Sequence, residues 1–308
     1  MAVGRSNIAL IKYWGTRDPG LNLPTNSSFS FTLDGLTSVC EARPDDRVRV
    51  VFNDAPLRGA ALERFEEFYR TASMFYRIKP FEVRFELNFP RSVGIAASAA
   101  VFSSLAAELD QQFSLGLDST GLSRLARLGS GSASRSVFGG FVEWHAGNSH
   151  EESYAESFLP ASHWRLVDVV AIVSSRPKAV GSATAHRLVH SSPLHTVRMG
   201  LVDRMIGEVK RAVQERDMSA LEGPVETDAM LIHAIAATSD PPFSYLTRET
   251  GELISRVIDL RGSGVPVIYT LDAGPTVHMI APRRYSSELE ELWDNTRVAP
   301  ISKRGVDP

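Results

Sequence analysis

LSRLARLGSGSASRSVFGGFVEW, residues 122–144, changes texture twice within one short run. Leu122 to Leu128 has helical spacing, and a loop dense in glycine and serine follows it. A flexible linker has the same composition, but linkers rarely carry an arginine and then run on into a segment such as VFGGFVEW. The glycines Gly129 and Gly131 precede Ser132, Ser134, Arg135 and Ser136, so hydroxyl donors and one fixed cation gather in a tight loop. That set suits a phosphate or a carboxylate.

Outward from this loop the chain mixes strands and helices without strict alternation. Period-two or apolar runs predict strands at 7–13, 27–33, 48–53, 81–88, 166–173, 265–271 and 276–281. Helical spacing covers 61–76, 193–214, 225–237 and 249–260. After Pro90 the stretch RSVGIAASAAVFSSLAAELDQQF is rich in small residues and then helical, and the tail after Val298 reads as poorly structured. This order predicts an α+β fold in two lobes, residues 1–165 and 166–308.

Composition narrows the classes. Of 308 residues, 43% are hydrophobic and 22% charged, which excludes disorder, collagen and coiled coil. With 33 Lys+Arg against 36 Asp+Glu the net charge is -3, so bulk nucleic-acid binding is not expected. The single Cys40 cannot form an internal disulfide and reads as structural. The first residues, MAVGRSNIALIKYWG, do not read as a signal peptide, and no apolar run approaches the roughly 18 residues of a membrane span. A cytoplasmic enzyme is the expectation, with no membrane partner.

Three further stretches could carry chemistry. In NIALIKYWG, residues 7–15, Lys12 is flanked by apolar residues; it either meets an anion or snorkels to water. In PRSVGIAASA, residues 90–99, Gly94 and Ser98 lie before a helix, where backbone N–H groups can converge on an anion or simply allow close packing. No Gly-Lys-Ser/Thr follows, so it is not a Walker loop. Asp272-Ala-Gly-Pro275 ends an apolar strand and alone reads as an ordinary turn. His186 and His190 are four apart, but a metal pair needs a third ligand and no nearby Cys or Glu fits. They read as surface, or as a cationic patch with Arg187, and no metal site is expected. Glu288–Glu291 reads as a solvated helix face.

Taken jointly, NIALIKYWG, LPTNSSFSFTL, the Pro-x-x-x-Gly-Ile-x-x-Ser loop, GSGSASRSVFGGFVEW and DAGP resemble, in wording and order, the diphosphomevalonate decarboxylase family. That family lies within the superfamily of galactose, homoserine, mevalonate and phosphomevalonate kinases, and the resemblance runs from about Asn7 to Ile280. It implies a two-lobed α+β fold with a central cleft, and a lyase of the mevalonate pathway, in isoprenoid and lipid biosynthesis, working as a homodimer on a small phosphorylated mevalonate. In ATP-dependent members ATP phosphorylates the 3-hydroxyl, and loss of that phosphate with CO2 gives the product. The departing phosphate takes the electrons, so no pyridoxal or thiamine is required. By resemblance Arg135 binds the substrate carboxylate, with Ser132 and Ser130 fixing the substrate. Lys12 sits beside the 3-oxygen, and Asp272 positions or deprotonates the 3-hydroxyl. Tyr13 contacts the phosphorylated end, and Asn7 is a further substrate-binding candidate.

Several positions depart from the family pattern. KYWGKRD is usual; here KYWGTRD puts Thr16 where a Lys is associated with the diphosphate. The nucleotide loop usually reads PTAAGLASSA; here Arg91 and Ala97 change it. Thr184-Ala185 replaces a usual Gly-Met. These changes fall where ATP and the 5-diphosphate bind in the family. They lead to the expectation of nucleotide-free decarboxylation of mevalonate 3,5-bisphosphate to isopentenyl phosphate, with no cofactor and Arg91 on a substrate phosphate. Two alternatives stand beside it: ATP- and Mg-dependent diphosphomevalonate decarboxylation, or the same reaction on the 5-monophosphate. A non-catalytic metabolite sensor is disfavoured, because a sensor does not need Lys12, Ser132, Arg135 and Asp272 together.

Overall fold

The computed structural model describes residues 1–89, 97–174 and 178–307. Its spine is the 17-residue strand Ser28–Pro44. Residues 28–33 alternate Ser/Thr with Phe/Leu, and all six are buried, because this strand is covered on both faces. Ala2–Ile11 runs antiparallel along it. Its outer half pairs with Phe81–Leu87, and its inner half with Phe141–Trp144, which leads on to Ala155–Leu159. Arg49–Phe52 adds a parallel strand and Ala55–Pro56 ends the sheet, seven strands in all among the described residues.

The pairing of Ala2–Ile11 slips: Arg5 faces Thr37, but Asn7 already faces Thr32. Such an irregularity re-aims the side chains beyond it. Here Asn7 turns to the serine loop, to which it is hydrogen-bonded. Helices Ala97–Phe113 and Ser119–Gly129 cover the sheet. The latter is capped by Asp118, whose carboxylate accepts from Gly121 N–H at 2.7 Å.

The second half carries an antiparallel sheet ordered Ile268–Leu271, Val277–Pro282, Leu166–Ala171, Thr296–Pro300. Helices Pro193–Glu215 and Met218–Ala237 bring the halves together. Val202, Val209 and Leu221 share one core with Ile8, Phe29 and Phe141 of the first sheet and Val170 and Ile280 of the second. The cleft therefore has walls that are packed to each other rather than hung on a linker. The α+β fold is as the sequence predicts.

Several elements differ from their sequence reading. Only residues 27–33 of the strand Ser28–Pro44 are expected from the sequence, Ala2–Ile11 is expected at 7–13, and Phe141–Trp144 and Ala155–Leu159 are not expected as strands. The serine loop is not irregular: Gly131–Val137 is a 3-10 helix. The helix expected from residue 225 begins at Met218, with Asp217 as cap and Pro224 inside it. The tail from Val298 to Asp307 is ordered. Thr296–Pro300 is a strand, Leu33 bridges Ile301, and Arg5 holds Asp307 at 2.7 Å. The last residues thus return to the first sheet.

Candidate active site

Lys12 follows the end of strand Ala2–Ile11 and is only 3% exposed, so it does not snorkel. A buried ammonium is costly unless its protons are taken. Here Nζ donates to Ala9 O at 2.7 Å and to Asp272 Oδ1 at 2.8 Å. The Lys12 backbone is held just as firmly. Its N–H donates to Asp228 Oδ2 at 2.7 Å, and its carbonyl accepts from Asn26 Nδ2 at 2.9 Å and Arg198 Nη2 at 2.8 Å. Arg198 and Asp228 form a fully buried ion pair, Nε to Oδ1 at 2.8 Å, between the two helices that join the halves.

Asp272 lies just past strand Ile268–Leu271. Its carboxylate side chain is 22% exposed against 3% for Lys12, so it is the carboxylate that faces the cleft. Burial alone raises a carboxyl pKa, but the Lys12 ammonium, with His278 and Lys178 adding to it, holds Asp272 below the usual carboxylate range. Asp272 is therefore ionised at neutral pH. Farther inside the same sheet, Asp168 Oδ2 and His278 Nδ1 lie 2.7 Å apart, both buried.

Arg135 sits in the 3-10 helix and is 3% exposed. Nη1 donates to Ser28 Oγ at 2.7 Å and Nη2 to Asn7 Oδ1 at 3.1 Å, and the guanidinium lies 5.8 Å from the Trp144 ring centre. Asn7 Nδ2 is anchored in turn on Ser132 O and Ser136 Oγ. Among the described residues Arg135 meets no carboxylate and its Nε has no partner. Burial lowers its pKa to about 10, which still leaves it charged at neutral pH. Among the described residues it has no ion-pair partner; Asp272, which lines the same cleft, favours its charge from farther off.

The remaining walls are polar. Ser98 Oγ is 3.0 Å from Ser130 Oγ, which is 3.2 Å from Ser132 Oγ, so three hydroxyls run from the start of helix Ala97–Phe113 into the serine loop. Tyr13 packs edge-on against Trp144 at 4.9 Å and its hydroxyl meets Thr16 Oγ1. Burial pushes the Tyr13 phenol up to about 12. Gly131 is required here, since a Cβ would lie 2.6 Å from the Tyr13 ring. Gly15, at φ +105°, turns the chain away from Tyr13 in a conformation other residues rarely adopt. The cleft encloses about 930 Å3 and is also lined by Arg64, Lys178 and Arg187, none of which has an ion pair among the described residues.

The structure thus brings together Asn7, Lys12, Tyr13, Ser98, Ser130, Ser132, Arg135 and Asp272. Arg91 and Gly94 lie outside the described residues. His186 is not the surface residue expected: it is half-buried, stacked on Tyr13 at 4.0 Å, and burial first, then Arg198, His190 and Arg135, pushes its pKa down to about 3. It is neutral and forms no cationic patch. Sequence reading missed Ser28, Asn26, Arg198 and Asp228. Arg198 had a signal: it falls on the buried stripe of its helix with His195, Val202 and Met205, where a charge needs a partner. Elsewhere, outside the cleft lining, Glu143, His145 and Glu156 come together, with Lys210 Nζ 2.6 Å from Glu143.

A two-lobed α+β fold around a cleft that holds a buried Lys–Asp pair and an arginine with no ion pair among the described residues defines an enzyme of the small-molecule kinase superfamily of galactose, homoserine, mevalonate and phosphomevalonate kinases. Residues 4–155 match the diphosphomevalonate decarboxylase-like N-terminal domain, and 168–299 match the mevalonate 5-diphosphate decarboxylase C-terminal domain. The chain belongs to the diphosphomevalonate decarboxylase family. It is 36% identical to the diphosphomevalonate decarboxylase of Schizosaccharomyces pombe over 298 residues, 87% of this chain and 75% of that one. The crystal structure of mevalonate diphosphate decarboxylase from Staphylococcus aureus is similar at TM-score 0.94 and 30% identity, covering 99% of this chain and 96% of that one. So is a structure described as MDDEF in complex with MVAPP, AMPPCP and magnesium, at TM-score 0.93 and 28% identity, covering 99% and 97%.

Proposed function

We propose that this carboxy-lyase acts on mevalonate 5-diphosphate: it uses ATP to phosphorylate the 3-hydroxyl, then releases phosphate and CO2 to give isopentenyl diphosphate. The observation that carries the reading is Arg135, a buried cation with no ion-pair partner among the described residues, in one cleft with an ionised Asp272 gripped by Lys12. A substrate carboxylate supplies Arg135 with a direct ion-pair partner. Asp272 accepts the proton of the 3-hydroxyl as that oxygen attacks phosphorus, and Lys12 neutralises the charge there. Once phosphorylated, the 3-oxygen leaves with its bonding pair. The electrons of the carbon–carboxylate bond then form the double bond, and CO2 departs.

ATP with magnesium supplies the phosphoryl group. The residues present fit an anionic co-substrate: Ser98 in the first turn of helix Ala97–Phe113, and Lys178 and Arg64 without ion-pair partners among the described residues.

This reading replaces the nucleotide-free one expected from the departures. The relatives are named for diphosphomevalonate, and a similar structure is described with MVAPP, the ATP analogue AMPPCP and magnesium. Of the departures that pointed the other way, Arg91 lies outside the described residues, and the loss of one hydroxyl at Ala97 leaves Ser98 bonded to Ser130. The test is CO2 release from mevalonate 5-diphosphate, mevalonate 5-phosphate and mevalonate 3,5-bisphosphate, each with and without Mg-ATP. Turnover of the 5-diphosphate that requires Mg-ATP is expected. Turnover of the bisphosphate without nucleotide, with none of the 5-diphosphate, would overturn the reading.

A further inference from the structure

His186 stands on the short helix Ser182–Leu188 and lines the cleft. Its ring lies nearly parallel to Tyr13, centroids 4.0 Å apart and planes 18° apart, and 5.2 Å from Trp14. The Gly15 N–H donates to its Nδ1 at 3.1 Å. A ring nitrogen that accepts carries no proton, so in the neutral imidazole the proton sits on Nε2. Nε2 makes no hydrogen bond among the described residues, and it is not among the atoms sealed from solvent without a partner. It is therefore a donor open to the cleft, fixed in rotamer by the stack and in tautomer by Gly15. Its surroundings are built for anions: Arg64, Lys178 and Arg187 line the same cleft and carry no ion pair among the described residues.

We propose that His186 is a specificity-determining residue whose Nε2–H donates to a phosphate oxygen of the bound ligand. Rigid and uncharged, it demands an acceptor at one point without adding to the cationic field, which complements the charged side chains around it. Two ligands bring such an oxygen, the phosphorylated end of the mevalonate substrate and the nucleotide. The identity of both rests on the function proposed above; the phosphate chemistry of the site does not.

Two substitutions separate the parts. His186→Phe keeps a ring to stack on Tyr13 and removes both hydrogen bonds. His186→Gln offers an amide oxygen to Gly15 and an amide N–H to the cleft. In calorimetric titration with inorganic pyrophosphate, affinity should fall about 10- to 100-fold in His186→Phe, the range for a hydrogen bond to a charged group, and recover to within about 3-fold of wild type in His186→Gln. In steady-state assays the KM of one phosphorylated substrate should rise by a similar factor with kcat changed less than about 3-fold. Whether it is that of mevalonate 5-diphosphate or of ATP identifies the source. Equal pyrophosphate affinity in wild type and His186→Phe, or equal loss in both variants, would overturn the inference. Should His186→Phe fail to fold, 15N spectra of histidine-labelled wild type decide. The signal absent from His186→Gln must show an Nε2–H tautomer that shifts on adding pyrophosphate; an Nδ1–H tautomer, or no shift, would overturn it. If no candidate mevalonate is turned over by wild type while the pyrophosphate results hold, the proposed reaction fails and this assignment stands.

Discussion

Arg135 is kept out of water by Ser28, Asn7 and Trp144, yet none of these neutralises it. Hydrogen-bonded neutral partners lower the cost of burying a cation but do not remove it, and an arriving carboxylate does. Replacing Arg135 by Ala removes that driving force, and kcat/KM for mevalonate 5-diphosphate should fall by about 10^3 or more. Steady-state rates near wild type would sink the carboxylate role. Asp272 is argued from its ionisation. In the proposed reaction Asp272→Asn keeps the shape and loses the proposed base, so ADP and CO2 production should fall together by about 10^2- to 10^4-fold. At this scale the sequence was legible only through its motifs. Lys12 and Asp272 each had an ordinary reading alone, as snorkelling cation and turn, the Arg135 loop already read as an anion site, and only their joint wording pointed to one site. Their partners were less visible, because Asn26 and Asp228 become meaningful only when strand and helix are folded against each other.

The elements that position the site are those whose sequence signals conflict with a simpler rule. Serine and glycine density in residues 129–136 reads as a loop, but the chain closes successive turns there, Ser134 Oγ donating to Gly131 O at 2.7 Å. Pro224 invites a helix to start after it. Asp217 instead accepts from Ser219 and Ala220 N–H and starts the helix about two turns earlier. That extension packs Met218 and Leu221 into the shared core. The long helices Ala60–Phe75 and Pro193–Glu215, whose periodicity is local, lie close to their sequence reading, whereas only residues 27–33 of the strand Ser28–Pro44 were legible, its outer half lacking so clean an alternation. The Arg198–Asp228 pair is the joint between the two long helices and the Lys12 backbone. Arg198→Met should leave Asp228 as an unpaired buried carboxylate and cost about 3–5 kcal/mol. The double variant Arg198→Met/Asp228→Leu should recover a large part of that loss in urea unfolding. A single variant as stable as wild type would show that the pair does not hold the joint.

Across the whole molecule, burial keeps several histidines neutral. His150, His195 and His233 each have pKa values pushed down to about 4, by burial first, with Arg127 beside His150, His190 beside His195 and Lys12 beside His233. The unfolded chain binds protons at these rings near pH 6.5, whereas the folded chain refuses them until about pH 4. Stability is therefore full above the unfolded pKa and lost as pH falls through this window, with a slope up to about 1.4 kcal/mol per pH unit for each ring. Urea unfolding at pH 7.5 and at pH 5.5 should show a clear loss at the lower pH, and equal stabilities would contradict the burial argument. The end of the chain was the least legible part at this scale. Residues 301–307 have no long pattern of their own and take their order from Leu33, Arg5 and Val3 of the first sheet. Whether these parts together perform an ATP-coupled decarboxylation is read most directly by counting ADP and CO2 from the same reaction on mevalonate 5-diphosphate. One ADP for each CO2 is the predicted result, and CO2 released without ADP would contradict it.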